Sequence, residues 1–370
     1  GADNEVLRPA MLWNDGRSGA QCEQLTRDVP NLAAITGNLA MPGFTAPKLQ
    51  WVREHEPRVF EKTRRVLLPK DWLRLMLTGE AVSEMSDAAG TLWLDVGQRD
   101  WSDVMLAATG LARHHMPRLV EGSEVSAYVM PELCERWGLP DPLPVAGGAG
   151  DNAASAVGMG LVRPGQGFVS LGTSGVVFVS GAAFEPNPAQ ALHAFCHALP
   201  GRWHVMSVML SAASAVTWAT KMLGFDNEAA LMAAAATLSA DEQQGAPVFL
   251  PYLSGERSPH NNPLASGAWT GLRAPHGREH LAYAVAEGVG FGLLDGLLTI
   301  PPTEPPLTTL SLVGGGSRSA WWAQLLADTF GLTLLGLGIA LGHLQLGIGQ
   351  RQVLGGLVAR TALFVARQAG

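Results

Sequence analysis

Apolar and polar positions change period along the chain. Up to about residue 143 the apolar residues recur at three- and four-residue spacing in segments separated by loops. Residues 47–59 and 71–77 read as helices, and Thr78-Gly79 stops the second. The pattern then shortens. Residues 145–150 read as a brief strand entering a glycine turn, and residues 151–160 as a helix of small residues. Pro164-Gly165 is a natural break. Two apolar runs, 168–171 and 176–179, flank a polar turn and predict a hairpin over 167–179. A second hairpin is predicted over 193–209, turning at Pro200-Gly201. Residues 227–240 form an alanine-rich helical pattern that Asp226 or Asn227 would cap. A polar loop at 254–262 and a helical pattern at 280–294 follow. The apolar strand 310–313 then enters Gly314-Gly315-Gly316, and 317–328 reads as a helix.

The order is that of two packed α/β domains, a first at 1–162 and a second at 163–370. The length of 370 residues suits two cores. Hydrophobic residues make up 47% and charged residues 15%, which excludes a disordered chain. The formal net charge of -7, with no basic block, argues against nucleic acid or an anionic membrane as partner. Cys22, Cys134 and Cys196 are odd in number and form no C-x-x-C, as reduced thiols in the cytoplasm would. Residues 1–8 are polar, so no signal peptide is expected there. Residues 329–350 lack Asp, Glu, Lys and Arg and are long enough to span a bilayer, but their six glycines favour a buried α/β segment. Residues 333–370 contain no Asp, Glu, Lys, Asn, Ser or Pro, and residues 300–306 hold four prolines. A shifted reading frame would produce such a composition.

Two stretches carry candidate chemistry. Gly147-Gly148-Ala149-Gly150 precedes Asp151-Asn152, placing one carboxylate on a glycine turn at a helix start. Ser170-Leu171-Gly172-Thr173-Ser174-Gly175 puts two hydroxyls between glycines at a hairpin tip. A lone acid and a phosphate-sized turn suggest phosphoryl transfer to a neutral hydroxyl, which needs a base, a phosphate cradle and a divalent metal. Each position also has a plainer reading. Asp151 could cap its helix, Thr173-Ser174 could be an ordinary turn, and Gly314 to Gly316 could pack one element on another. Trp13 could belong to a core, Asp15 and Arg17 could form an ion pair, and Asp87 could cap a turn. His193, Cys196, His197 and His204 have loosely zinc-like spacing, but they fall in a predicted hairpin, and no metal ligands are assigned.

The chain resembles the FGGY carbohydrate kinases. Gly43-Phe44-Thr45-Ala46-Pro47-Lys48-Leu49-Gln50-Trp51-Val52 fits one family signature, and residues 267–287 fit a second except at Ala286, where a larger aliphatic is usual. Leu12-Trp13-Asn14-Asp15-Gly16-Arg17, Met85-Ser86-Asp87-Ala88-Ala89-Gly90-Thr91 and Tyr252-Leu253-Ser254-Gly255-Glu256-Arg257-Ser258-Pro259-His260 resemble the xylulose kinase branch. The resemblance runs from about residue 7 to 332. It implies a two-domain actin-like fold with ribonuclease-H-like cores, and ATP and sugar in the cleft between them. It implies ATP and Mg2+ as co-reactants and D-xylulose as the phosphate acceptor, with ribulose, glycerol or a non-catalytic sugar-binding remnant as alternatives. It also makes Asp151 the base, Asn152 a sugar contact and Trp13 the ring beside the polyol. Gly172, Thr173 and Ser174 match the second phosphate loop, and Gly314, Gly315 and Gly316 the adenosine motif. The family's opening aspartate-glycine-threonine hairpin and methionine-histidine sugar motif have no counterpart in this sequence, so domain I is expected to be incomplete at its N-terminus. Weak nucleotide binding and very slow transfer are the matching expectations. The oligomeric state stays open, a homodimer included.

Overall fold

The computed structural model describes residues 1–337 and 343–346. The chain divides into two compact units. The first comprises Gly1–Val162, Ser180–Pro188 and His193–Val205, and the second Arg163–Val179, Ala189–Leu192 and the chain from Met206 onward.

The first unit is mainly helical. Its core gathers Leu25, Phe44, Trp93, Trp101, Met105 and Leu106, all buried. Trp93 donates its indole N–H to Thr109 Oγ1 at 2.9 Å, and Trp101 donates to the Pro117 carbonyl at 2.9 Å, so neither ring leaves a polar atom stranded. The helix expected over 47–59 is two helices, Thr45–His55 and Pro57–Lys62. Pro57 is the cause: it pushes the residue before it out of helical geometry, and Glu56 sits at φ -129°, ψ 53°. The next helix, Pro69–Thr78, ends at Gly79 in the left-handed conformation, as the Thr78-Gly79 pair predicts. Three two-stranded sheets complete the unit, one of them pairing Leu94–Asp95 antiparallel with Asp100–Trp101. Val82–Glu84 runs parallel to Arg118–Val120, and Val125–Tyr128 runs antiparallel to Pro144–Ala146. The last strand feeds the glycine turn and the Asp151–Gly158 helix.

The second unit is built on a mixed sheet. Thr309–Val313 lies between two parallel neighbours, Gly167–Leu171 and Thr333–Leu337. Gly167–Leu171 forms the predicted hairpin with Gly175–Gly181, pairing Leu171 with Gly175, and Trp203–Met209 follows beyond it. On the other side His343–Leu346 runs antiparallel to Thr333–Leu337, so the described part of the uncharged 329–350 segment holds two sheet strands. The rest of the 333–370 tail lies outside the described residues.

Helix boundaries shift from their expected places where hydroxyls intervene. The alanine-rich helix stops at Ala235, because Ser239 starts a new helix, Ala240–Gly245, through a reciprocal bond with Glu242. Asn227 caps the first by accepting from Ala230 N at 2.9 Å. The helix expected from 317 starts at Ala320, since Ser319 Oγ accepts from Trp322 N, and a short 3-10 turn, Gly315–Arg318, precedes it. The Arg278–Leu298 helix is, among the described residues, long and apolar enough to cross a membrane. Most of it is buried instead, and Tyr283, Val285, Val289, Phe291 and Leu293 reach the core on more than one face. A helix apolar all round suits such a position.

Candidate active site

In the first unit, the strand Pro144–Ala146 hands the chain to Gly147 and Gly148, and Gly148 takes φ +80°. Gly150 is the N-cap, and Asp151 is the first helical residue. The cap reading of Asp151 therefore gives way: the cap position belongs to a residue without a side chain. The Asp151 carboxylate is exposed, and its Oδ1 accepts from Asn152 N at 2.7 Å and from Asn152 Nδ2 at 3.0 Å. An acid in the first turn also meets the positive end of the helix dipole. Asp87 is not a cap either. Glu84 caps that short helix, accepting from the Ser86 and Asp87 amides, while Asp87 lies 3.3 Å from Lys70 Nζ. Burial raises the Asp87 carboxyl above its ordinary value, against the pull of Lys70.

Trp13 stands on a separate loop of the same unit. Its side chain is 71% exposed, which removes the core reading. Lys48 holds the loop by donating to the carbonyls of Leu12 at 2.8 Å and Gly43 at 3.1 Å. The ion pair expected between Asp15 and Arg17 is present at 2.7 Å, with the Arg17 guanidinium stacked over Trp51.

The second unit contains a cavity of about 750 Å³, within the range of nucleotide-sized sites. Gly172 and Thr173 form one edge, and Gly315, Gly316, Arg318 and Ser319 another. Met232, Ala233, Trp321 and Trp322 supply apolar wall, and Glu228 and Thr217 a polar corner, bonded to each other at 2.8 Å. The Thr173 edge is oriented by the helix beside it. Gly172 O accepts from Ala213 N, and Thr173 O from Ala212 N and Ser214 Oγ. In a trans peptide the carbonyl and the following amide point opposite ways. The Thr173 and Ser174 amides are thus turned away from that helix.

The three glycines of the 314–316 corner have three different reasons. Gly314 takes φ +91°, and a Cβ there would lie 2.6 Å from the Leu171 carbonyl oxygen. A Cβ on Gly316 would meet the Trp322 ring and Leu171. Gly315 opens on empty space. Gly315 and Gly316 line the cavity, while Gly314 lets the corner close on the Leu171 strand. Ser174 lies beside the cavity, with its hydroxyl 3.5 Å from the Leu210 carbonyl.

Other side chains did not stand out in the sequence. Glu256 is 3% exposed; its Oε1 accepts from Leu210 N at 2.9 Å and Arg257 N at 2.8 Å. Its Oε2 has no hydrogen-bond partner among the described residues, and burial pushes the carboxyl up to about 7. Only the motif around it drew attention to this residue. The helix Glu228–Ala235, whose residues line the cavity, reads in sequence only as an alanine-rich helix. Around the second hairpin, His193 Nδ1 lies 2.9 Å from Asn38 Oδ1, and the Cys196 thiol bonds the Val96 carbonyl. Among the described residues no group of three or more His, Cys, Asp or Glu is arranged to hold a metal ion.

The glycine-turn acid and the glycine-edged cavity lie in segments that match one family. Residues 1–158 match the N-terminal domain, and residues 167–340 the C-terminal domain, of the FGGY family of carbohydrate kinases. The chain belongs to this family. The kinase is 55% identical to xylulose kinase of Escherichia coli over 333 residues, which is 90% of this chain and 68% of that protein. It is 37% identical to xylulose kinase of Lactococcus lactis over 348 residues, 92% of this chain and 68% of the relative. Among solved structures, a "xyloylose kinase" from Brucella ovis superposes with a TM-score of 0.93 at 43% identity, covering 100% of this chain and 82% of the other. Xylulose kinase from Rhodospirillum rubrum superposes at 0.86 and 28% identity, covering 98% and 80%. The fold is the two-domain actin-like fold of the sugar kinases. The protein is a phosphotransferase with an alcohol group as acceptor.

Proposed function

We propose that the kinase transfers the γ-phosphoryl group of ATP to the C5 hydroxyl of D-xylulose, as a cytoplasmic enzyme of pentose breakdown. The observation that carries the acceptor is the 55% identity to xylulose kinase across nine-tenths of the chain. Asp151 takes the proton of the attacking hydroxyl. It is exposed at the head of its helix, and Asn152, bonded to it, offers a second polar group to the sugar. The exposed Trp13 ring provides a flat apolar face for the carbon skeleton.

The cavity of the second unit takes the nucleotide. Its apolar wall of Met232, Ala233 and Trp321 suits a base, and Gly315 leaves room for close approach of a ligand. The Thr173 and Ser174 amides, turned away from the neighbouring helix, are donors for phosphate oxygens. Gly172 and Gly314 complete the two corners. Charge that develops on the transferring group is stabilised by such preorganised donors.

Mg2+ is the metal that ATP chemistry of this family implies. Where three carboxylates converge, Asp71, Glu84 and Asp87, the Lys70 ammonium already lies between them. That cluster is therefore no vacant cation site, and the roles above are those of protein groups alone.

The test is a phosphorylation assay with D-xylulose, D-ribulose and glycerol on the kinase extended by the family's phosphate hairpin. D-xylulose is expected to have the highest kcat/KM. A higher value for either rival would reassign the acceptor.

A further inference from the structure

A cluster of charged side chains lies beneath the turn that carries Asp151. Lys70 Nζ is 3.0 Å from Asp71 Oδ1, 3.4 Å from Glu84 Oε1 and 3.3 Å from Asp87 Oδ2. Arg74, only 6% exposed, donates to the carbonyls of Val82, at 2.9 Å, and Gly147. Glu84 is fully buried. Its Oε2 accepts from Ser86 N at 2.7 Å and from Ser86 Oγ at 2.8 Å. Ser86 Oγ in turn accepts from Gly150 N at 2.9 Å.

The bond directions follow from this arrangement. The only proton on Ser86 Oγ goes to Glu84, so a lone pair faces the Gly150 amide. The turn is thus held at both ends: at its first carbonyl by Arg74 and at its last amide by Ser86. Asp87 closes its side, since a Cβ on Gly150 would lie 3.5 Å from Asp87 Oδ1. A turn with glycines at 147, 148 and 150 has large conformational freedom of its own, so an aimed carboxylate needs an external hold.

We propose that Ser86 and Arg74 are positioning residues of the phosphoryl-transfer site, clamping the glycine turn so that Asp151 meets the attacking hydroxyl. The clamp rests on Asp151 being the base. Lys70 serves it indirectly, by balancing Glu84, the buried carboxylate that holds Ser86. Asp71 and Glu84 are 1% and 0% exposed, and leaving such buried charges unpaired would be costly.

Ser86→Ala and Ser86→Thr, made in the hairpin-extended kinase, test the clamp, with Asp151→Asn alongside. Ser86→Ala is expected to lower kcat for D-xylulose about 10- to 100-fold, the order that small misplacement of a reacting group produces. KM for ATP should stay within about two-fold, since the nucleotide cavity lies on other elements. Ser86→Thr keeps the hydroxyl and should recover most of kcat. Deuterium uptake in residues 147–158 should rise in Ser86→Ala and not elsewhere. A lowered Tm with unchanged kcat would mean a merely structural serine and would overturn the proposal. Uptake separates the clamp from the base. If Asp151→Asn keeps wild-type kcat while Ser86→Ala speeds uptake, the base assignment fails and the clamp stands as a hold on the turn. Unchanged uptake in Ser86→Ala removes the clamp whatever Asp151→Asn does.

Discussion

Asp151 does not occupy the cap position of its helix, which Gly150 holds, and its exposed carboxylate bonds the neighbouring Asn152. Replacement by Asn keeps the shape and removes the basicity. In a form of the kinase extended by the family's phosphate hairpin, Asp151→Asn is expected to lower kcat by about 10²- to 10⁴-fold, the usual contribution of a positioned base, with Tm almost unchanged. A kcat within a factor of a few of wild type would exclude the base role. The glycines at 314 and 315 make a sharper pair. Gly314→Ala forces a side chain into φ +91° and against the Leu171 backbone, so unfolding free energy should fall by at least about 1 kcal/mol. Gly315→Ala meets nothing within 4 Å, so stability should hold while the methyl enters the cavity and weakens ATP. Urea melts and ATP titrations on both variants check the contrast. If both lose stability equally, the cavity edge is drawn wrongly.

At the scale of elements, the cavity is lined by both the Glu228–Ala235 helix and the Gly315 corner. Ala233 is exposed and lines the space, whereas Leu231 and Ala235 of the same helix are buried. Ala233→Trp should therefore fill the cavity without disturbing the core. ATP affinity is expected to fall at least about tenfold with Tm within a few degrees of wild type, and calorimetric titration reads it. Unchanged affinity would place the nucleotide elsewhere. The start of this helix was legible in the sequence because Asn227 is a local cap. Its end was not, because alanines alone do not say where a helix stops. The Ser239–Glu242 capping box, which could have been read from the text, decided it. The split at Pro57 was likewise a local signal, outweighed by the helical spacing of the apolar residues around it.

At the scale of the molecule, buried ionisable groups give stability an uneven dependence on pH. Glu256 keeps its proton up to about 7 when folded, against an ordinary value of 4.5, because burial disfavours the charge. Between those values the folded protein holds the extra proton, so this group lowers stability as pH rises through the window, with no further loss above it. The effect is on the order of 3 kcal/mol. His197 acts in the opposite sense. Burial lowers it to about 4 from 6.5, so the unfolded chain binds the proton first and stability rises with pH between those values. Comparing wild type with Glu256→Gln cancels the histidine. The drop in unfolding free energy from pH 5 to pH 8 should be larger in wild type by roughly 2–3 kcal/mol. Equal drops in urea melts at the two pH values would mean that Glu256 does not titrate there.

The sequence by itself determined the family, the glycine corners, both hairpins and the order of strands, glycine turns and helices around them. These are local: a proline, a glycine at positive φ or an apolar run of a given period imposes its conformation on a few neighbouring residues. The quoted motifs also singled out Asp151, Thr173 and Gly315 as candidates. Only the tertiary structure separated roles within a motif. It made Gly314 a packing contact on Leu171 while Gly315 faced open space, and it took Asp87 from a turn cap into the ion cluster around Lys70. It also brought Ser86 under Gly150, 64 residues later in the chain, and set Met232 and Ala233 across a cavity from Trp321. Such meetings depend on which faces pack together, and burial, not residue type, decides whether a carboxylate like Glu256 is an ordinary surface acid or a group that holds its proton to neutrality.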